Sequence, residues 1–202
     1  MSIESLYVKD VYDQIGDRFS SSRHSPWPSV KSFIQSLPDG SLVLDAGCGN
    51  GKNMLIRPTI NMIGCDVSNT LLEICSTKGL NVVEANIINL PFKDNTFDAV
   101  ICVAVLHHLS SHERRTQAVK EMLRVVKPGG KLFIEVWALE QNLTAKKFFK
   151  IENNLNDYFV LWENKHQRYY HLFDKEEMTR MFPTGEIGFQ KDNWHVTLTK
   201  LT

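Results

Sequence analysis

Two acids and three glycines are spaced for chemistry. In "LVLDAGCGNGK" (42–52) an apolar run ends in Asp45 and breaks into Gly47, Gly49 and Gly51, and a second acid, Asp66, closes the next apolar run. Gly47 and Gly49 can adopt positive φ and, without Cβ atoms, let a ligand lie against the main chain. In a parallel α/β sheet such a turn stands at the carboxyl end of a strand, where ligands bind, and an acid at the tip of the second strand suits the two hydroxyls of a ribose. The dinucleotide fingerprint G-x-G-x-x-G needs a glycine at position 52, which is Lys52 here; the third glycine is Gly51.

That difference bears on the ligand. An acid two residues ahead of the first glycine repels a pyrophosphate and welcomes a cationic amine. S-adenosylmethionine carries an ammonium and a sulfonium and no phosphate, so Asp45 favours the methyl donor over a dinucleotide. Asn86 ends a third strand-like run, where its amide can meet an adenine edge, and Ile87 beside it can pack on the ring.

The elements that position these residues alternate along the chain. Apolar spacing predicts a helix over 3–18 and a short one over 29–36, separated by the proline-bearing "SSSRHSPWPS". Strands are expected at 41–47, 61–66, 80–86, 97–105 and 131–139, with helices at 68–79 and 110–130, each opened by a serine cap and stopped by glycine. The runs are too uniformly apolar to be half exposed, as in a sheet buried on both faces. The fold class this implies is α/β: a Rossmann-like, mostly parallel sheet of seven strands with helices on both faces and a C-terminal antiparallel hairpin. Residues 140–172 lack a clear period and read as an insertion with some helix. A short helix over 174–182 and a hairpin over 185–201, turning near Asp192-Asn193, complete the chain. One domain is expected over 1–202, with an N-terminal helical cap (1–39), a cofactor-binding core (40–139), an insertion forming the acceptor region (140–172) and the C-terminal helix and hairpin (173–202).

Composition narrows the function classes. Lys and Arg number 23, as do Asp and Glu, so the formal net charge is zero and no global basic field draws in nucleic acid. RNA binding would need a local patch or a partner. Cys48, Cys65, Cys75 and Cys102 lack metal or redox spacing and read as buried thiols of a cytoplasmic protein, with the nucleus also open to it. The N-terminus resembles neither a signal nor a transit peptide, and no apolar run spans a membrane.

"LDAGCGNG", "GCDVS", "NLPFKDNTFDAVICVAVLHHL" and "LRVVKPGG", in that order, resemble the class I S-adenosylmethionine-dependent methyltransferases over residues 40–136. Asn86 departs from the acid usual there, which changes the donor pattern offered to adenine. The candidate cofactor residues are Asp45, Gly47, Gly49, Asp66, Val67, Asn86, Ile87 and Val103. Outside the core, "RHSPWP" (23–28), "HHLSSHERR" (107–115), "WALEQ" (137–141), "RYYHLF" (168–173) and "DNWHV" (192–196) extend the likeness. With them the chain resembles the tRNA wobble-uridine carboxymethyl methyltransferases over nearly its whole length.

The resemblance implies methyl transfer to the carboxylate of 5-carboxymethyluridine at position 34, in the tRNA anticodon loop. A carboxylic acid in water ionises near pH ~4 and is an anion at neutral pH, so the reaction asks for positioning rather than a general base. Arg23, His107 and Trp137 are the candidates for positioning the acceptor: Arg23 to pair with a carboxylate, Trp137 to stack on an extruded base. His107 and His108 are neighbours and so point different ways; His107 is expected in the site and His108 in the packing. No metal is expected in this chain, since His112 adds no acid or cysteine to that pair. Arg114 and Arg115, and the cluster Lys146, Lys147, Lys150, Lys165 and Arg168, are either RNA contacts or solvated surface. The family's small zinc-binding activator protein is the implied partner, in a heterodimer along the 80–86 edge strand. Two other readings share the core motifs: a small-molecule methyltransferase acting on something like a quinone precursor, and a non-catalytic scaffold.

Overall fold

Five apolar runs become the parallel half of one sheet, and the central ones carry branched or aromatic side chains on both faces and so are covered twice. The structure is a computed structural model that describes residues 1–141, 148–152, 154 and 156–201. Strands β1 (Leu42–Ala46), β2 (Asn61–Asp66), β3 (Val82–Glu84), β4 (Phe97–Val103) and β5 (Val126–Trp137) pair in parallel. Numbering the remaining strands in chain order, β6 (Phe148–Lys150), β7 (Asp157–Trp162) and β8 (His166–His171) form a separate sheet, while β9 (Glu186–Gln190) and β10 (Asn193–Thr199) return to the large one. The seven-stranded order is β3-β2-β1-β4-β5-β10-β9, with β10 antiparallel to both its neighbours; the strand number and the C-terminal antiparallel hairpin are as the sequence pattern predicts.

Alternation along the strands divides the core. Leu44, Val100, Cys102, Leu132 and Ile134 face α4 (His112–Val125) and α5 (Lys175–Met181). Val43, Ala99, Ile101 and Phe133 face α2 (Pro28–Ser36) and α3 (Asn69–Thr77). The expected serine caps are Ser68, whose hydroxyl accepts from Leu71 N at 3.4 Å, and Ser111, which accepts from Arg114 N at 3.3 Å. Such caps satisfy otherwise orphaned helix donors and contribute about 1 kcal/mol each. Ahead of these, α1 (Asp10–Ser21) continues a π-helical turn, Ser5–Lys9, and lies over the carboxyl ends of the strands. All four cysteines are buried free thiols.

Three differences from the sequence expectation go beyond a shift of a few residues at an element's end or have a plain physical cause. The helix expected to run to residue 130 stops at Val125, because Pro128 disfavours helix at the residue before it. Val126–Gly130 are extended instead, paired through Gly129 N to Lys200 O (2.7 Å) and Lys200 N to Gly130 O (2.9 Å). The final hairpin turns one residue earlier than expected, on Lys191 and Asp192, with φ of 48° and 62°. Two consecutive positive φ values match the twist of the flanking strands, and Asp is among the residues that tolerate them.

The insertion is the third and larger correction. Its described part is β6-β7-β8, an antiparallel sheet and not helix, because "DYFVLW" and "HQRYYH" are short runs rich in the aromatic residues that favour strands. Tyr158, Val160, Tyr170 and Leu172 form a small core of their own, with Trp137, Leu139 and Phe148 against it. Residues 142–147, and with them Lys146 and Lys147, lie outside the described residues.

Candidate functional site

The glycine turn is held down by the strand beside it. Gly47 N and Cys48 N both donate to the Cys65 carbonyl, at 2.7 and 2.9 Å, which folds the chain back as it leaves β1. Gly47 has φ of 85°, and a Cβ there would stand 2.2 Å from a methyl of Val105; Gly49 has φ of 55°. Only glycine meets both demands at 47 without strain. Asp66, at the tip of β2, ties two loops together: Gly49 N donates to Oδ2 at 2.9 Å and Ser68 N to Oδ1 at 3.0 Å. Burial raises its pKa against those backbone bonds. A carboxylate has roughly four acceptor positions, so two remain for the hydroxyls of a ribose.

The loop, the ends of β2 and β4, the 85–87 segment and α1 enclose a cavity of ≈ 360 Å³, within the span of about 300–1,000 Å³ usual for small-molecule sites. Of the expected cofactor residues, Gly47, Gly49, Asp66, Val67, Asn86, Ile87 and Val103 line it. Asn86 Oδ1 accepts from Ile88 N at 3.2 Å, so its amide NH₂ is the group left to donate, where an acid could only accept. Asp45 lies beneath the loop, fully buried, and neither of its oxygens has a hydrogen bond. Burial, then the Asp66 charge, pushes its pKa up to about 7, with the nearby Asn53 amide and Lys52 opposing. Among the described residues no cation forms an ion pair with this carboxylate, and an ammonium would supply one. These residues fit a methyl donor of the S-adenosylmethionine type.

Sequence reasoning missed the lid. Ser2, Glu4, Ser5, Val8, Lys9 and Tyr12 all line the cavity, so the N-terminal segment is one of its walls. Glu4 anchors that wall by a fork–fork pair with Arg114, Nε to Oε1 at 2.7 Å, and its Oε1 also accepts from Ser110 N at 2.8 Å. Burial works against the Glu4 charge, but these bonds outweigh it and hold the pKa below the usual value. Arg114 is therefore engaged inside the chain. Arg115 is buried, donating to Leu109 O at 3.0 Å and facing Glu177 at 3.6 Å. Neither is a free RNA contact. Arg168 also leaves the surface: it is 4% exposed.

At the acceptor end the structure exchanges two residues. His108, not His107, lines the cavity; His107 is fully buried, and its Nδ1 accepts from Trp137 N at 3.1 Å. The two follow one another on a single 3-10 turn, Leu106–His108, which sends them to different sides. Trp137 stacks on Tyr170 (4.3 Å between centroids, 16° between planes) and stands behind the wall rather than on it. Arg23 reaches the cavity as expected, exposed, with its guanidinium 5.7 Å from the Phe19 ring and 5.5 Å from that of Trp162.

Hydrogen-bond polarity in this wall is fixed by one carbonyl. His108 Nδ1 must donate to Tyr169 O at 2.8 Å, which leaves Nε2 as an acceptor. Tyr12 O–H therefore donates to His108 Nε2 at 3.1 Å, and the Tyr12 oxygen accepts from Tyr170 O–H at 3.4 Å and from Arg168 Nη1 at 3.3 Å. Burial pushes the His108 pKa down to about 3, so the ring stays neutral.

A mostly parallel sheet with this strand order, a glycine turn over a buried acid and a second acid at the tip of the next strand define a class I S-adenosylmethionine-dependent methyltransferase fold. Residues 44–134 match the methyltransferase domain family. A Schizosaccharomyces pombe tRNA (carboxymethyluridine(34)-5-O)-methyltransferase is 38% identical over 98% of this chain and 97% of its own length. An Arabidopsis thaliana protein of the same name is 52% identical over 71% of this chain, which spans 35% of that protein. A Haloferax volcanii methyltransferase solved with the Trm112 methyltransferase activator shares the fold, with a TM-score of 0.71 at 17% identity, covering 96% of this chain and 98% of that one. The chain belongs to the tRNA (carboxymethyluridine(34)-5-O)-methyltransferase family.

Proposed function

We propose that this chain transfers a methyl group from S-adenosylmethionine to the carboxylate of 5-carboxymethyluridine at wobble position 34 of tRNA, giving the methyl ester. The observation that carries the reading is the end-to-end match to the fission-yeast relative of that name, since it includes the acceptor side as well as the cofactor core. When bound, the cofactor supplies an electrophilic methyl on a sulfonium. Asp45 neutralises the ammonium, Asp66 accepts from the ribose hydroxyls, Asn86 donates to the adenine edge, and Val67, Ile87 and Val103 pack on apolar faces.

The acceptor wall supports the same chemistry. Tyr12, Phe19, Arg23, Trp27 and His108 line that end, and none is set to take a proton, because the one imidazole lone pair is already occupied by Tyr12. A carboxylate nucleophile needs none; it needs to be held in line with the methyl, roughly 3–3.5 Å away. Trp137 and His107 serve this from behind, by fixing Tyr170 and the 106–108 turn. RNA contact falls to exposed Lys150 and Lys165, and to a partner.

The partner is a small zinc-binding activator that adds to the β3 edge, where Val83 is exposed. An apolar edge strand left bare invites aggregation, and strand addition covers it. The deciding experiment incubates the full chain, alone and with an activator protein, with labelled S-adenosylmethionine and a tRNA anticodon stem-loop bearing 5-carboxymethyluridine. Base-labile methyl ester on that RNA, and none on the unmodified stem-loop, is the expected result. Transfer to a small quinone precursor with none to the RNA would overturn it.

A further inference from the structure

Arg168 is a buried cation without an anion among the described residues. It sits on β8 between aromatic rings, its guanidinium carbon 5.1 Å from the centroid of Trp162 and 5.2 Å from that of Tyr170. Among the described residues no carboxylate lies within ion-pairing distance of it, and Nε has no hydrogen-bond partner. Its Nη1 donates to the neutral oxygen of Tyr12 at 3.3 Å, longer than a charge-assisted bond. Arginine is almost never buried unpaired, because desolvating its charge costs more than ring contacts return. The neighbouring Arg23 shares the Trp162 ring at 5.5 Å and likewise has no carboxylate within reach among the described residues. Two guanidiniums on one indole, both short of an anion, stand beside the cavity that Tyr12, Phe19 and Arg23 line.

We propose that Arg168 is the residue that grips the carboxylate of the acceptor nucleotide, with Arg23 as the outer guanidinium that receives it. The inference rests on the function proposed above and adds to it the group that selects the charged acceptor. The Tyr12 oxygen holds the anion's place beside Nη1, and an incoming carboxylate oxygen replaces it as acceptor. One carboxylate oxygen is thereby fixed on Arg168 and the other left free to attack. Depth favours the carboxylate over a backbone phosphate: Arg168 is 4% exposed and stands behind Tyr12, which lines the cavity, so a group that stays on the RNA surface is kept from it and only the tip of an extruded base that displaces the Tyr12 oxygen meets it.

The test uses two anticodon stem-loops that differ only at the wobble uridine, one carrying 5-carboxymethyluridine and the other its neutral isostere, 5-carbamoylmethyluridine. Binding of each is measured against the full chain, alone and with an activator protein, for wild type, Arg168→Met and Arg168→Lys. Wild type is expected to prefer the carboxylate RNA by about 10–100-fold, as for one hydrogen-bonded charge pair. Arg168→Met is expected to bind the two RNAs equally, with unchanged S-adenosylmethionine affinity by calorimetry, and Arg168→Lys to recover part of the preference. Wild-type preference retained in Arg168→Met, while wild type methylates the carboxylate RNA, overturns the inference alone. A wild-type chain that neither methylates nor prefers that RNA overturns the proposed function, and the inference with it. Should Arg168→Met fail to bind cofactor, Arg168→Lys decides: a preference below that of wild type upholds the inference, and a preference equal to wild type overturns it.

Discussion

The two ends of the cavity are built in opposite ways. The cofactor end is contiguous: Asp45 to Gly51 form one loop, Asp66 and Ser68 the next, and the bonds between them run through backbone N–H groups. The acceptor end is assembled from side chains far apart in sequence, with Tyr12 on α1, His108 after β4, and Trp162, Arg168 and Tyr170 on the small sheet. Backbone donors fix a ligand that never changes. Stacked side chains on an added sheet can be exchanged without disturbing that fixture, so acceptor choice varies on a constant cofactor frame.

The difference predicts separable failures. Asp66→Ala removes the acceptor for two backbone donors and for the ribose together, and should weaken cofactor binding by about 100-fold or more. Calorimetry checks this, with Asp66→Asn as the milder variant and thermal unfolding as the control for folding. Undiminished affinity would show that the ribose is read elsewhere. Tyr12→Phe breaks the bond to His108 that orders this wall. It should lower kcat/KM for the acceptor RNA by about tenfold, the worth of a net hydrogen bond of roughly 1–1.5 kcal/mol, and leave cofactor affinity unchanged. A loss of cofactor affinity instead would mean that the two ends are not independent.

The pH responses follow the same division. Asp45, pushed up to about 7 by burial and then by Asp66, is largely protonated below that pH, so it pairs with an ammonium only as pH rises through about 7. Cofactor affinity should therefore strengthen between about pH 6 and pH 7.5, by no more than tenfold per pH unit, and Asp45→Asn should flatten the profile. The smallest effect lies in the small sheet's anchor. His171 Nδ1 meets Asp157 at 2.7 Å and Nε2 meets Glu177 at 2.8 Å, and these partners raise its pKa against burial, the largest single influence. A raised imidazole stabilises the fold fully below its unfolded value of about 6.5, and that contribution is lost as pH rises through the folded value. Wild-type stability should thus fall relative to His171→Asn across that window, read as the midpoint in urea.

How much was legible in the sequence follows from the same contrast. The glycine turn, Asp66, Asn86 and the alternation of strands with helices could be read because each is a local pattern. His107 and His108 could not be told apart, because a single 3-10 turn decides which side each faces and neither neighbour marks its phase. Arg168 looked like one of several surface cations. The sign of burial is in "HQRYYH", where a single charge stands directly before consecutive aromatics, but with no period-2 alternation the segment does not read as strand. The N-terminal wall escaped because Glu4 finds Arg114 only through the tertiary fold.

Arg168's want of an anion among the described residues has a consequence for turnover. Esterification converts the acceptor from an anion to a neutral group, so the step that makes the product also removes the attraction that brought the substrate in. Product and substrate differ at that position by one methyl and one charge, and the guanidinium discriminates by the charge. Departure of the ester then needs no separate opening event, and the mature nucleoside competes poorly for an enzyme that meets it throughout the tRNA pool.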